Sequence, residues 1–253
     1  MRDHISVSQI NLYLLCPLKY RFNYIDKLPK PFKAAELAFG SAIHSAIEWW
    51  HKERQAERNR EWQDIASVFE ADLNAQAVDE IRFKNGDDLS SLIDKGKELL
   101  AVYVKEYKGT TPKAVEQGFR VPLVDLETGE RIDLPLDGYF DLLEEGDTVV
   151  ELKTAAKVYD LTTITQHLQL TAYAYAFSWL RKREPNLRLD ILTKTKKPQL
   201  HSFEVFRDQN DKVRFFHLAK RVIEGIHSGH FYPSAGWLCP SCEYFDVCQK
   251  WRG

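Results

Sequence analysis

Apolar residues near the N-terminus recur at spacings of four. In SVSQINLYLLCPLKYRFNYI they are Ile10, Leu14, Leu18 and Phe22, following a Ser cap, and they predict one long helix. AELAFGSAIHSAIEWWHKERQ carries Leu37, Ile43, Ile47 and Trp50 in the same way, and amphipathic helices are expected over residues 61–80 and 90–108. Near residue 114 the period drops to two. AVEQGFRVPLVDL, a Thr-Gly turn at 128–129 and RIDLPLDGYFDLLEE predict a hairpin of strands. A Glu-Glu-Gly-Asp turn at 144–147 leads into the strand TVVELKT, and LTTITQHLQLTAYAYAFSWLRKR predicts a long helix that ends before Pro185. LRLDILTK and QLHSFEVF add two strands, and a helix near 211–228 runs into a cysteine-bearing tail. Helices, strands, helix, strands, helix is the order expected of an α/β layer with a helical N-terminal extension.

Composition changes this picture little. The 253 residues are 44% hydrophobic and 28% charged, as in an ordinary globular chain. A net charge of −2 neither points to nucleic acid nor excludes it, because a cleft needs only a local positive path. No run of about 18 apolar residues occurs, so no membrane span is expected. MRDHISVSQINLY lacks the apolar run of a signal peptide, and four cysteines without such a signal fit a reducing cytoplasm. No phosphate-binding loop of the G-x-x-x-x-G-K-[ST] type is present; Gly96-Lys97-Glu98 is the nearest approach, so no ATP motor is expected.

The chemistry concentrates in LDGYFDLLEEGDTVVELKTA. On the strand 147–154, Glu151 and Lys153 share one face while Val150 and Leu152 point the other way. Asp137 and Asp141 share a face of the preceding strand, and pairing through the tight turn brings Asp141 beside Glu151. Two such carboxylates make a hard-oxygen site for Mg2+ or Mn2+, and a lysine beside them can orient water or balance phosphate charge. His44, on an apolar helix, could add an imidazole ligand. Gln169 and Tyr173 lie one helical turn apart, just after that strand. Each of these, alone, is more simply read as ordinary structure: an exposed sheet edge, a satisfied histidine or a partly buried helix face.

Taken in order, Gly40-x-x-x-His44, Gly138-Tyr-Phe-Asp141, Glu151-Leu-Lys153 and Gln169-x-x-x-Tyr173 resemble the RecB-type branch of the PD-(D/E)XK nuclease superfamily over nearly the whole chain. SVSQINLYLLCPLKYRF is similar to that branch's N-terminal signature. The resemblance implies a restriction-endonuclease-like core, a mixed central sheet flanked by helices, within a single nuclease domain. Residues 1–110 would form a mainly helical region, 111–210 the catalytic α/β core, and 211–253 the C-terminal helix and cysteine tail. It also implies that His44, Asp141, Glu151 and the Leu152 carbonyl hold Mg2+ or Mn2+. Lys153 would be the catalytic lysine, with Gln169 and Tyr173 supporting the site and the DNA path. One departure is Phe140, which stands where the superfamily's name has proline before the first acid. Asp137 is a rival to Asp141 for that acid.

GWLCPSCEYFDVCQKW holds Cys239, Cys242 and Cys248, one short of the usual four soft ligands, and Cys16 is the one other cysteine in the chain. The spacing resembles the iron–sulfur clip of the AddB-type and CRISPR-associated RecB-like exonucleases, which implies a [4Fe–4S] cluster; zinc is the alternative. A link between residues so far apart would stabilise the fold by an amount on the order of 5 kcal/mol, on the scale set by cross-links. The expected function is a metal-dependent DNA exonuclease acting on single-stranded ends, with 5′→3′ polarity implied by the family. Repair, recombination, phage replication and CRISPR adaptation are all open contexts, and a separate helicase or integrase-type partner is compatible. The alternatives are a non-catalytic DNA-binding or assembly module of the same fold, or a structure-specific endonuclease.

Overall fold

The computed structural model describes residues 3–77, 80–83, 86–236 and 238–253. Helix α1 (Val7–Leu15) is capped by Ser6, whose hydroxyl accepts from the Gln9 amide. The long first helix expected from the apolar spacing breaks at Cys16. Pro17 disfavours helical geometry in the residue before it, and Cys16 is extended at φ −161° and ψ 104°. The chain restarts as the short α2 (Pro17–Tyr20), with Cys16 Sγ accepting from the Lys19 amide, and continues as a π-turn over Arg21–Ile25. The break leaves Leu14 49% exposed, whereas Ile10, Leu18 and Phe22 are buried.

Helix α3 (Ala35–Gln55) buries Ala38, Phe39, Ala42, Ile43, Ala46, Ile47 and Trp50. Its small residues allow close approach to its neighbours, and Leu37, expected on this stripe, faces out at 63% exposure. Helix α4 (Trp62–Gln76) is shorter than its expected span, of which residues 78 and 79 lie outside those described. Helix α5 (Leu89–Glu106) starts on a reciprocal cap between Asp88 and Ser91. A two-residue parallel pair, β1 (Lys33–Ala34) with β2 (Ile81–Arg82), was not signalled by the alternation pattern.

The central sheet has five strands among the described residues, in chain order: β3 (Pro112–Val124), β4 (Arg131–Glu144), β5 (Thr148–Ala155), β6 (Asn186–Thr193) and β7 (Gln199–Val205). Only β5 and β6 run parallel; the other neighbours are antiparallel, so the sheet is mixed. A parallel pair needs a crossover, supplied here by α6 (Leu161–Thr165) and α7 (Leu168–Arg181). The sequence pattern suggests one helix there. Asp160 caps α6, but its threonine-rich turn propagates poorly, and the chain breaks at Gln166 and His167. Helix α8 (Gln209–His227) follows, then α9 (Phe245–Gln249) in the tail.

Helices α1, α7 and α8 cover one sheet face, burying Phe140, Val149, Leu189 and Ile191 with Tyr173, Phe177 and Phe216. Helices α3, α4 and α5 cover the other, around Leu152 and Leu192. A third cluster joins the two ends of the chain: Leu18 and Phe22 pack with Tyr244, flanked by Cys16, Cys242, Cys248 and Trp251.

Candidate active site

The site lies where the β4–β5 ladder stops. Its pairs are Glu144 with Thr148, Leu143 with Val149 and Leu142 with Val150. The next step of that register sets Asp141 opposite Glu151, as the turn length predicted. Backbone pairing ends there, and the Leu152 amide donates to Asp141 Oδ2 at 3.1 Å. A side chain thus takes a ladder bond, and the two strands part around the carboxylates. The two-residue period of β5 turns Leu152 into the α3–α5 core and Glu151 and Lys153 toward α7. Glu151 is 1% exposed. Its Oε1 pairs with Lys153 Nζ, while Oε2 is buried without a partner.

Helix α7 supplies the support behind Asp141. The Tyr173 hydroxyl donates to Asp141 Oδ1 at 2.9 Å and accepts from Gln169 Nε2 at 3.0 Å. Gln169, Tyr173, Asp141 and the Leu152 amide therefore form one continuous chain of hydrogen bonds. Helix α3 supplies His44, which lines a small recess with Glu48, Glu116, Asp141 and Leu152. One turn earlier, Gly40 lies against β5: a Cβ there would meet Thr154 Oγ1 at 3.6 Å, an ordinary contact. Gly138 is under a stricter demand, because its Cβ would come within 2.6 Å of the Phe119 ring.

Burial and the close approach of like charges shift the titration of the site's groups. Burial, then the neighbouring Asp141 carboxylate, push the Glu151 carboxyl up to about 8. Burial lowers the His44 pKa, with Asp141 opposing, so the imidazole is biased toward its neutral, metal-ligating form. Burial disfavours the Lys153 ammonium, but the Glu151 carboxylate outweighs it and holds the lysine charged. Tyr173 is kept protonated by its burial and by Glu151 and Asp141. The unpartnered Glu151 oxygen, a second carboxylate and a neutral imidazole form a donor set that fits a hard divalent cation. Among the described residues, no three His, Cys, Asp or Glu side chains are gathered closely enough to hold an ion as they stand.

Two further carboxylates escaped the sequence reading. Glu116 falls between the hairpin pairs Gln117 with Phe140 and Val115 with Leu142, which is the position opposite Asp141. It adopts a left-handed φ of 50°, and burial with Asp141 and Glu48 nearby pushes it up to about 7. Counting the hairpin register would have found it. Glu48 stands four residues after His44, one turn along the same helix face. Asp137, the rival first acid, is placed elsewhere: it pairs with Arg120 at 3.4 Å and lies 3.9 Å from His4.

Cys16, Cys239, Cys242 and Cys248 are all free thiols and line a single cavity of about 580 Å³ at the junction of the chain ends. Cys16 Sγ accepts from the amides of Lys19 and Ser234, and Cys239 Sγ from that of Gly236. The Lys19–Glu243 ion pair at 2.7 Å ties the same two segments together.

A family profile described as the PD-(D/E)XK nuclease superfamily matches residues 4–249. The chain belongs to this superfamily. Comparison with curated proteins gave no match. Among solved structures, the chain is similar to a provisionally named exonuclease from Eubacterium rectale, at 14% identity and TM-score 0.61, covering 99% of this chain and 89% of that one. That likeness shows the fold. The protein SSO0001 aligns at 16% identity and TM-score 0.37 over 92% of both chains, too distant to carry an argument. PD-(D/E)XK nucleases generally use Mg2+ or Mn2+ and act on DNA. No helix among the described residues is long and apolar enough to cross a membrane.

Proposed function

We propose that this PD-(D/E)XK protein is a Mg2+- or Mn2+-dependent deoxyribonuclease that works on DNA ends. The observation carrying this is Glu151: a buried carboxylate with one oxygen on Lys153 and the other unpartnered, beside Asp141. His44, Asp141, Glu151 and the Leu152 carbonyl would hold the cation. When bound, it would polarise a phosphoryl oxygen and lower the pKa of a coordinated water. Lys153, held charged by Glu151, orients the attacking water and balances the growing phosphate charge. Tyr173 and Gln169 fix the Asp141 carboxylate so that it need not reorganise during the reaction. The intact set Asp141, Glu151 and Lys153 favours an enzyme over a binding module of the same fold.

The substrate we infer is single-stranded DNA, taken 5′→3′ as the family resemblance implies. The helical region over β5 would admit a strand end more readily than a duplex. A separate helicase or integrase-type partner is compatible with this reading, in repair, recombination, phage replication or CRISPR adaptation. A reducing cytoplasm suits the four free thiols. We also propose that these thiols hold a [4Fe–4S] cluster with a structural role. All four thiols line one cavity, and amide donors to sulfur suit a cluster.

Digestion of end-labelled single-stranded, double-stranded and circular DNA tests the reading. The expected result is Mg2+- or Mn2+-dependent release of short products from linear single strands, with circles spared. Cleavage of circles at the linear rate would assign an endonuclease, and binding in EDTA without cleavage under any cation would assign a non-catalytic module.

A further inference from the structure

We propose that the indole N–H of Trp251 is a hydrogen-bond donor to the sulfur of the group held by the four cysteines, and so sets its stability and reduction potential. This rests on the cluster reading above. Trp251 lies three residues past Cys248, and its backbone amide donates to the Cys248 carbonyl at 3.1 Å, which fixes the turn leaving α9. The side chain lines the cysteine cavity and packs with Leu18, Phe22 and Tyr244. Within that apolar setting its Nε1 is shielded from water and has no acceptor. Buried Trp N–H groups find partners, since an unsatisfied donor in such a place is costly.

The distribution of the other donors indicates where the acceptor belongs. Backbone amides serve Cys16, Cys239 and, through Tyr244, Cys242. Among the described residues no donor reaches Cys248 Sγ. The orphaned indole belongs to the same segment and the same cavity. An N–H directed at a thiolate or bridging sulfide draws off negative charge, which favours the reduced cluster and slows its oxidative loss.

The test uses the full chain purified without oxygen, as wild type, as Trp251→Phe, and with benzothienylalanine at position 251, which keeps the bicyclic shape and lacks the N–H. Absorbance near 400 nm with iron and sulfide content reports loading, spectroelectrochemistry gives the potential, and bleaching by a chelator gives the stability. The expected result is a loaded wild type, with both variants shifted to lower potential and bleaching on the order of ten-fold faster. Loaded proteins with equal potentials and bleaching rates would overturn the Trp251 assignment, as would a change in the Phe variant that the bicyclic isostere does not share. A wild type lacking iron, sulfide and the absorbance band would overturn the cluster reading beneath it.

Discussion

Replacing Tyr173 by phenylalanine removes one oxygen from the centre of the site and little else. That hydroxyl donates to Asp141 at 2.9 Å and accepts from Gln169 at 3.0 Å, on a residue fully buried between α7 and the sheet. A hydrogen bond to a charged group contributes about 1.5–3 kcal/mol, and a buried donor left unsatisfied adds a cost of similar size. Gln169 is only half-buried, so its freed amide can turn to solvent and that second cost is small. The expected net loss is about 2 kcal/mol, or a Tm lower by about 4–8 °C for a chain of this size. Asp141 keeps the Leu152 amide, so its carboxylate stays near the site but can swing about that single contact. The half-saturating Mg2+ concentration should therefore rise by about 10–100-fold, as for other groups that orient a metal ligand. The assay is Mg2+ titration of single-turnover cleavage, alongside thermal unfolding of the metal-free protein. An unchanged Mg2+ dependence in Tyr173→Phe would refute the orienting role, and an unchanged Tm would refute the energetic argument.

Other consequences follow from the same geometry. Because Glu151 is raised from 4.5 to about 8 in the folded protein, its neutral form favours folding below about pH 4.5, and that contribution is lost as pH climbs through about 8. The metal-free protein should lose on the order of a few kcal/mol across that window, measured by urea unfolding; Glu151→Gln should flatten the profile, and Mn2+ should restore stability at the alkaline end. Gly138→Ala should lower stability by about 1–3 kcal/mol, because a Cβ would lie 2.6 Å from the Phe119 ring, while Gly40→Ala should be tolerated in thermal melts. Cys16→Ala should loosen the junction of the chain ends, seen as faster proteolysis of residues 1–30 and of the tail, before it alters the chemistry.

Most of the sheet and its register could be read from the sequence because tight turns leave little freedom. The turn at 144–147 fixes which β4 residue meets Glu151, and period two fixes which faces they share. The helices were harder where a local term overrode the apolar spacing. Pro17 broke the first helix at Cys16, and the threonine-rich α6 separated from α7. Leu37 fits an apolar spacing yet points outward, because α3 presents its alanines to the core. Glu116 was missed because its role depends on a left-handed backbone position and on register across a second strand pair, neither of which has a one-residue signal. Asp137 meets Arg120 because the two are direct partners in the β3–β4 register, whereas the approach of His4 and Asp3 to this pair comes from the N-terminal segment and has no periodic signal.

Lys153 offers the most direct test of the central claim, that Asp141, Glu151 and Lys153 perform cation-dependent cleavage. The measurement is the single-turnover rate on 5′-labelled single-stranded DNA, with Mg2+ and with EDTA, for wild type and for Lys153→Ala verified as folded by circular dichroism. Cleavage by the wild type is expected only with the cation, with a loss on the order of 10²–10⁴ in the variant. Cleavage by the wild type in EDTA, or a folded Lys153→Ala protein cutting at the wild-type rate, would contradict the claim.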